Sequence, residues 1–459
     1  MKGTTKILSE NAAYADQAHF EQAKARGAYS GLLEAIAIKP ADVIHEIEES
    51  GLRGRGGAGF PTGRKWGFIR YNPSNPPYLL CNGDESEPGT FKDHWLLEHD
   101  PHRVIEGIVI AAHAIQAREA FLYIRGEYAS LLPVIGQALE DARANGFVGS
   151  HICNSPVSVE ITIITGAGAY ICGEETGLME SMEGKRAYPR VRPPFPAARG
   201  FATRPTVVNN VETLANLPWI IRHGAAAFRA IGTDDSPGTK LISLSGCITH
   251  PGVYEVPMGY SLKQLLLEEG GGMLAGRRLK AVIPGGTSVP VLTADEVQKV
   301  HIDFESMQAA GSLLGSGGMI VFDDSVSMPD MLRTISRFYA TESCGECTPC
   351  REGTGWMSAI LERMLNNHCV KGDLDRLLRI ANNIEGRTIC GLGDAAVQPV
   401  RSFVTKFREE FEALAQGMSF PSLEEWQQHG HGARSARHRP VALEAAESEP
   451  VIGHPTYRW

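Results

Sequence analysis

The chain lacks the features of a membrane-spanning or exported protein. Its best candidate for a membrane span, IEGIVIAAHAIQA (Ile105 to Ala117), is too short to cross a bilayer and predicts a buried helix. The N-terminal segment MKGTTKILSENAAYADQ has no apolar core of the kind that a signal peptide carries. We therefore expect a protein that is neither inserted in a membrane nor exported.

The chain also lacks an excess of basic residues. It has 44 Lys and Arg against 53 Asp and Glu, which gives a formal net charge of −9. A general nucleic-acid binder needs a basic face, so this balance argues against that class of function. Nine cysteines without an export signal favour a reducing compartment, where clustered cysteines bind metals more often than they form disulfides.

The order of the predicted elements indicates an α/β fold. The first 75 residues are mostly helical in pattern, and the strands PYLLCN, EAFLYIRG and VSVEITIIT then alternate with helices. Such alternation is typical of a parallel sheet covered by helices. Short strands around one helix follow in a smaller α+β region, and residues from Met328 to about Gln416 have the pattern of a helical bundle.

These shifts in pattern predict five segments. They are residues 1–75, a helical segment with a glycine-rich nucleotide loop; 76–236, an α/β ligand-binding domain; 237–325, a small α+β domain; 326–418, a helical bundle; and 419–459, a tail. The tail has no periodicity and is predicted to be mostly disordered. Its histidines, His429, His431, His438 and His454, are expected to be solvated rather than metal-bound.

A dense group of cysteines lies in the predicted bundle. In ESCGECTPCREG, Cys344, Cys347 and Cys350 are each separated by two residues, and a four-ligand site needs one more thiolate. The later candidates are Cys369 and Cys390. We choose Cys390 because it lies in the glycine-flanked turn GRTICGLGD, which lets the backbone approach a bound group.

The spacing of these cysteines bears on the kind of metal. Zinc usually takes its cysteines as two separated pairs. Three cysteines in one compact run with a distant fourth are closer to the pattern that binds a [4Fe–4S] cluster. A zinc staple with a purely structural role remains the alternative at this point.

The glycine-rich stretch GLRGRGGAGFPTGRKWGF suits a phosphate-bearing planar ligand. Gly54, Gly56 and Gly59 match the G-x-G-x-x-G spacing, but the match is weak because a helix rather than a strand precedes it. Glycines nonetheless let backbone amides come close to a ligand. The same stretch carries Arg55, Arg64 and Lys65 for phosphate, and Phe60, Trp66 and Phe68 for stacking on a ring.

Polar loops follow the predicted strands. CNGDESEPGTFKD carries Asn82, Asp84, Glu85 and Glu87, TGAGAYICGEETG carries Tyr170, Glu174 and Glu175, and PTVVNNVETLANLP carries Asn209, Asn210 and Thr213. Each loop alone is equally consistent with a solvated surface loop or a helix start. Because an open α/β sheet binds ligands at the carboxyl ends of its strands, their combination predicts one site for a large, polar, planar ligand.

Together these motifs resemble a known family. GRGGAGFPTGRKW, CNGDESEPGTFKD, GAYICGEETGLMESMEGKR, TVVNNVETLANLP and ESCGECTPCREG with CGLGD are similar to the NADH-binding, F-type flavoprotein subunit of respiratory complex I. The resemblance covers roughly residues 30 to 418. It implies FMN, one [4Fe–4S] cluster and NADH as substrate, with a β-grasp-like middle domain.

The resemblance also implies contacts for individual residues. FMN would lie against Gly54, Gly56, Lys65, Asn82, Asp84, Glu174, Asn209, Asn210 and Thr213. NADH would lie over the flavin near Phe60, Phe68, Glu87, Tyr170, Glu175 and Phe195. Further cofactor contacts would come from Arg55, Gly57, Ala58, Gly59 and Gly173, and the cluster ligands would be Cys344, Cys347, Cys350 and Cys390.

The implied reaction is hydride transfer from NADH to FMN, followed by single-electron transfer to the cluster and on towards quinone. No side chain is expected to act as an obligatory acid or base, because the hydride chemistry belongs to the cofactors. The implied partners are a [2Fe–2S] thioredoxin-like subunit and a large multi-cluster iron–sulfur subunit. They would hold the chain in a peripheral arm on the cytoplasmic face of the inner membrane.

Two alternatives are open from the sequence. One is the diaphorase subunit of an NAD-linked hydrogenase or formate dehydrogenase, and many such chains carry an additional cluster domain. No cysteine precedes Cys81 or follows Cys390, so we expect no such domain, which favours the complex I type. The other is a non-enzymatic assembly protein with a zinc-stapled bundle, which would be colourless.

Overall fold

The computed structural model describes residues 6–415, and the predicted tail at 419–459 with its four histidines lies outside them. The helices are α1 (Phe20–Ala25), α2 (Ser30–Ala37), α3 (Pro40–Ser50), α4 (Thr62–Trp66), α5 (Lys92–His99), α6 (Pro101–Ile115), α7 (Leu132–Ala144), α8 (Glu175–Met182), α9 (Val211–Ala215), α10 (Leu217–His223), α11 (Ala225–Arg229), α12 (Leu262–Gln264), α13 (Ala294–Val297), α14 (Phe304–Ala309), α15 (Met328–Glu342), α16 (Thr348–Leu365), α17 (Asp373–Ile384), α18 (Leu392–Lys406) and α19 (Arg408–Ala415). The strands are β1 (Tyr78–Gly83), β2 (Glu119–Ile124), β3 (Glu160–Thr165), β4 (Thr206–Asn210), β5 (Thr239–Gly246), β6 (Gly252–Pro257), β7 (Tyr260–Ser261), β8 (Leu279–Ile283), β9 (Leu292–Thr293), β10 (His301–Ile302) and β11 (Gly318–Asp323).

Local sequence explains where the main helices begin and end. Helix α3 begins with Pro40, whose fixed φ suits the first helical position, and ends at Gly51, which has φ 69°. Helix α15 is capped by Ser327, whose side chain accepts a hydrogen bond from the Asp330 amide. The apolar stretch of α6 is buried along its whole length, as its composition predicts.

The first sheet has four parallel strands in the order β3-β2-β1-β4. Strand β2 pairs with one side of β1, and β3 pairs with the outer side of β2. Strand β4 pairs with the other side of β1. The strand order therefore reverses between β1 and β4, and open α/β sheets bind ligands beyond the carboxyl ends of strands at such a point. The predicted parallel sheet is confirmed. Its switch point makes the residues at the ends of β1 and β4 candidates for ligand binding.

The second sheet has five strands in the order β6-β5-β11-β8-β9, and it is mixed. Strands β5 and β11 run parallel in its middle, while the other neighbours are antiparallel. Many of its apolar residues form a core of their own, whereas Leu241 of β5 belongs to the core of the first sheet. This region corresponds to the predicted small α+β domain.

Helices α15 to α19 form the helical C-terminal region, and their apolar core also includes Ala281, Ile283 and Phe322 of the mixed sheet. The two sheets and the helical region fall inside the predicted segments 76–236, 237–325 and 326–418, although the segment limits themselves stay predictions. Within the described part of the chain, no helix combines the length and apolar character needed to cross a membrane.

Candidate functional site

A cavity of about 260 Å³ opens at the switch point of the parallel sheet. Its lining comes from six parts of the chain: the glycine-rich loop, the end of β1 with the segment that follows it, the turn before α8, the end of β4, the residue Ser316 before β11, and the start of α18. The lining residues that sequence analysis predicted are Gly56, Asn82, Asp84, Glu87, Tyr170, Gly173, Glu174, Asn210 and Cys390. The sheet and the helical region therefore meet at one cavity.

Asn82 and Asp84 shape the cavity wall at the end of β1. The Asn82 amide donates to the Gly173 carbonyl at 2.9 Å, and its oxygen accepts the Asp84 amide at 3.0 Å. One Asp84 oxygen accepts the Ser86 hydroxyl, whereas the other is buried without a partner among the described residues. Burial raises the pKa of Asp84 to about 7. An unpaired buried polar atom at a cavity wall is what a polar ligand such as FMN would satisfy.

Glu87 and Tyr170 are joined across the cavity. The Tyr170 hydroxyl donates to Glu87 Oε2 at 2.7 Å, and Glu87 Oε1 accepts the Ser288 amide at 2.8 Å. Burial raises the pKa of Glu87, and these hydrogen bonds oppose that shift. Two residues predicted to lie near the nicotinamide nucleotide are thus in direct contact.

Glu174 and Glu175 begin α8 and face cations. Glu174 caps the helix by accepting hydrogen bonds from the Thr176 and Gly177 amides. Glu175 lies between two positive groups, with Lys65 Nζ at 3.0 Å and Arg192 Nη1 at 3.3 Å. Arg192 also pairs with Glu174. The acidic pair is therefore fixed in place by charge as well as by the helix start.

The glycine-rich loop contributes Gly56 to the cavity, and a Cβ atom there would lie 2.9 Å from that of Asn210. The amides of Gly54 and Arg55 are already used, by the Phe60 carbonyl and the Thr213 hydroxyl. Within residues 6–415 the amides of Gly56, Gly57, Ala58, Gly59 and Phe60 donate no hydrogen bond, so they are available to a ligand.

The structure corrects the expectation that Arg55 offers its charge to a phosphate. The side chain is 1% exposed, and its guanidinium donates to the carbonyls of Thr239 and Pro237 at 3.2 and 2.8 Å. Burial lowers its pKa to about 10. Arg55 therefore supports the loop through these carbonyls, whereas Lys65 is held by Glu175 and by the Val208 carbonyl at 2.8 Å.

Asn209 in β4 and Thr213 in α9 are directed differently from what the sequence suggests. The Asn209 side chain accepts the Trp66 indole N–H at 2.8 Å, and Thr213 is fully buried beneath the loop. Asn210 alone of the three lines the cavity, and its amide donates to Asp93 Oδ2 at 2.6 Å. Asn209 and Thr213 thus hold neighbouring elements in place.

Phe60, Phe68 and Phe195 are exposed, with 44%, 52% and 59% of their surfaces accessible. The rings of Phe60 and Phe68 lie 6.2 Å apart between centroids. None of the three lines the cavity itself. Exposed aromatic faces beside a glycine-rich loop suit a planar base, as the prediction for NADH requires.

A buried charge network beneath the cavity was missed by the sequence analysis. Lys92 lines the cavity and is 1% exposed, and its ammonium group lies 2.7 Å from Asp93 and 2.8 Å from Glu212. Glu212 also binds Lys240 Nζ at 2.6 Å and the Leu241 amide at 2.9 Å. Burial opposes ionisation, but Lys240 and Lys92 outweigh it and lower the pKa of Glu212. The sequence feature that could have indicated Lys92 is its position in CNGDESEPGTFKD, the segment that follows the first predicted strand.

The cysteine run begins between α15 and α16 and continues into α16, with Cys347 at the N-cap and Cys350 buried in the first turn. The pKa of Cys390 is raised to about 12, mainly by burial and to a smaller extent by the nearby Glu174, Cys344 and Cys350. Cys369 is instead influenced by Asp373 and Arg363. This neighbourhood supports Cys390 as the fourth thiolate of the group.

A mononuclear site gains no support from the geometry. In the described residues, no group of three or more His, Cys, Asp or Glu is arranged to hold a single metal ion. Zinc needs four ligands at about 2.0–2.3 Å from one centre. A cube-shaped cluster instead accepts its thiolates at four separate corners.

Comparisons with known families match the three structured regions in turn. The Nuo51 FMN-binding domain matches residues 47–219, the SLBB domain matches 240–321, and the NADH-ubiquinone oxidoreductase-F iron-sulfur binding region matches 330–414. An F-type NADH-quinone oxidoreductase protein of Rhizobium meliloti (strain 1021) is 50% identical over 391 residues, which cover 85% of this chain and 93% of that protein.

The chain belongs to the family of F-type subunits of NADH-quinone oxidoreductase. The family member of Streptomyces coelicolor (strain ATCC BAA-471 / A3(2) / M145) is 49% identical, with 86% of this chain and 87% of that protein covered. Among solved structures, an NAD+-reducing [NiFe]-hydrogenase in the air-oxidized state aligns with a TM-score of 0.77 and 38% identity, covering 90% of this chain and 70% of that one.

Family membership confirms the resemblance and the predicted cofactor set. The chain has an FMN-binding domain and a [4Fe–4S]-binding region, and these regions support NADH oxidation with electron transfer to an iron–sulfur centre. The contacts predicted for individual residues are not tested by the comparisons and stay predictions.

Proposed function

We propose that the cavity at the switch point binds FMN, that NADH binds over it, and that electrons leave through a cluster held by Cys344, Cys347, Cys350 and Cys390. One observation carries the proposal: Cys390 lines the same cavity as Gly56 and Asn82. A cofactor in this cavity would therefore border both the nucleotide-binding loops and a cluster ligand.

FMN accepts a hydride and releases single electrons, which a [4Fe–4S] cluster accepts one at a time. The chain's own residues have to bind and orient the reactants, because the reaction needs two planar rings at close distance. Asn82, Asp84 and Asn210 offer polar groups at one wall, and the amides of Gly56 to Gly59 offer donors for a phosphate. Phe60, Phe68 and Phe195 offer faces for NADH.

Glu87 and Glu175 are proposed to favour NADH over NADPH. Glu87 is buried against Tyr170, and Glu175 is about one-fifth exposed beside Lys65. Carboxylates near the ribose would repel the additional phosphate of NADPH, whereas they accept hydrogen bonds from a ribose hydroxyl.

The onward route requires partners with further clusters. Membership of the family places the chain within a complex, and we propose a [2Fe–2S] thioredoxin-like subunit and a large multi-cluster subunit as its neighbours. In that assembly the chain would lie in a peripheral arm on the cytoplasmic face of the inner membrane, and the electrons would pass towards quinone.

The full chain, purified with its cofactors, tests the proposal. We expect one FMN per chain and rapid oxidation of NADH with an artificial one-electron acceptor, much faster than oxidation of NADPH. A chain that retains its fold but binds no FMN under reconstitution would contradict the proposal.

A second candidate is the diaphorase subunit of an NAD+-reducing hydrogenase. The observation in its favour is the 38% identity and TM-score of 0.77 with the hydrogenase structure. The relatives from NADH-quinone oxidoreductase are more similar, at 50% and 49% identity. Co-purification from native membranes separates the candidates, since only the first predicts a quinone-reducing complex that lacks hydrogenase activity.

A further inference from the structure

Arg53 joins the base of the glycine-rich loop to the mixed-sheet region. Its Nε donates to the Gly59 carbonyl at 2.8 Å, and its Nη1 lies 2.6 Å from Glu305 Oε1. The guanidinium also lies over the ring of Phe304, 3.8 Å from its centroid. One side chain thus contacts the far end of the loop and two residues at the start of α14.

Phe304 also packs directly against the glycine-rich loop. Gly59 has φ 65°, and a Cβ atom there would lie 2.6 Å from the Phe304 ring. The ring therefore contacts both the Arg53 guanidinium and the Gly59 backbone, and no residue larger than glycine fits at position 59. A cation over a partly buried aromatic face adds attraction beyond simple contact.

Glu305 is itself fixed, by the Ser236 hydroxyl at 2.5 Å. Burial would raise the pKa of Glu305, but the hydrogen bonds from Ser236 and Arg53 outweigh it and lower the pKa. Glu305 therefore stays ionised at neutral pH and retains its bond to Arg53. The pair is partly exposed, so its strength rests on the fork geometry of arginine rather than on deep burial.

The loop has few other supports between its ends. Gly54 bonds to Phe60 across the base, but Gly57 has open space around it, and the amides of Gly56 to Phe60 have no partner in residues 6–415. Free amides bind a phosphate well only if they are already aligned, because alignment on binding costs conformational entropy. Something outside the loop has to keep them aligned.

We propose that Phe304 and Glu305 act through Arg53 as positioning residues, which hold the glycine-rich loop in the shape that binds FMN. The inference rests on the proposed function, and it gives the mixed-sheet region a role in the flavin site. The region does not supply a catalytic group by this contact. It reduces the freedom of the loop before the cofactor arrives.

The test uses the full chain with FMN removed, titrated with FMN by quenching of flavin fluorescence. Arg53→Gln and Phe304→Leu should each raise the FMN dissociation constant by about tenfold, and Glu305→Gln should raise it less. Arg53→Lys should recover part of the affinity, because it restores the charge over Phe304. Arg408→Gln, which removes an exposed pair with Glu412 of similar geometry, should leave the constant unchanged.

Two further readouts separate positioning from general stability. Hydrogen exchange of the FMN-free chain should be faster in residues 54–60 of Arg53→Gln, while the unfolding temperature stays within about one or two degrees of wild type. The double variant Arg53→Gln/Phe304→Leu should bind FMN no more weakly than Arg53→Gln alone.

Unchanged FMN affinity in Arg53→Gln and Glu305→Gln would overturn the inference, and so would losses that add in the double variant. Failure of the proposed function is distinguishable, because the wild-type chain would then bind no FMN at all.

Discussion

Lys65 and Glu175 form an ion pair, with 3.0 Å between Nζ and Oε2, that connects the helix after the glycine-rich loop to the first residue of α8. The two side chains are 30% and 22% exposed, and Lys65 is held from behind by the Val208 carbonyl. The Glu175 carboxylate, next in sequence to the cavity-lining Glu174, is thus fixed in position.

Neutralising Glu175 tests its role in the choice of nucleotide. Glu175→Gln should raise the ratio of NADPH to NADH oxidation by about tenfold or more, because repulsion of the additional phosphate is lost and Lys65 is released. Steady-state kinetics with both nucleotides measure the ratio. Glu180→Gln, at a neighbouring position on α8, serves as the control, and an unchanged ratio in Glu175→Gln would remove this role from Glu175.

The fourth cluster ligand is tested by two cysteine variants. Cys390→Ser should abolish the electron paramagnetic resonance signal of the reduced cluster, while FMN is still bound and still reduced by NADH. Cys369→Ser should retain the signal, because Cys369 lies beside Asp373 and Arg363 rather than beside the other cysteines. The reverse pattern would show that Cys369 is the ligand.

Asp84 should make the stability of the FMN-free chain depend on pH. Burial raises its pKa to about 7 in the folded state, so its stabilising contribution is complete below about pH 4 and is lost as the pH rises through about 7. Asp84→Asn cannot ionise. The variant should therefore be more stable than the wild type at pH 8, by on the order of 2 kcal/mol.

The difference between Asp84→Asn and the wild type should shrink towards zero as the pH falls to about 4, since the wild-type carboxyl is then protonated. Urea unfolding of both FMN-free chains across this range measures it. Comparing the pair cancels the contributions of other buried carboxyl groups. A difference that does not vary with pH would show that Asp84 has the same pKa in the folded and the unfolded chain.

The buried network around Glu212 should be sensitive to loss of one charge. Glu212→Gln leaves Lys240 and Lys92 short of a counter-ion in a site with no exposed surface, and we expect a cost of about 3 kcal/mol in the free energy of unfolding. Glu412→Gln, which weakens only an exposed pair, should cost less than about 0.5 kcal/mol. Equal losses in urea unfolding would contradict a structural role for the network.

Much of the fold could be predicted because its signals are local. The helix starting at Pro40, the buried run of α6 and the first three parallel strands are visible in apolar periodicity and composition. Strand β4 was not predicted, because its five residues end in two asparagines and pass directly into α9. Its position beside β1 nevertheless creates the switch point.

The sequence predicted which residues belong to the candidate site better than it predicted what each of them contacts. Motif spacing identified the glycine loop, the acidic loops and the cysteines. It could not show that Arg55 points beneath the loop, or that Asn209 binds Trp66, because both depend on tertiary contacts between distant parts of the chain. The Lys92–Glu212–Lys240 network was invisible for the same reason.

The most direct test of electron flow through this chain is an anaerobic titration of the purified full chain with NADH, followed by visible absorption and electron paramagnetic resonance. We expect a yellow-brown protein whose flavin absorption bleaches with NADH and whose cluster signal appears as electrons accumulate. A colourless protein that contains zinc, or a flavin that NADH does not reduce, would contradict the proposed function.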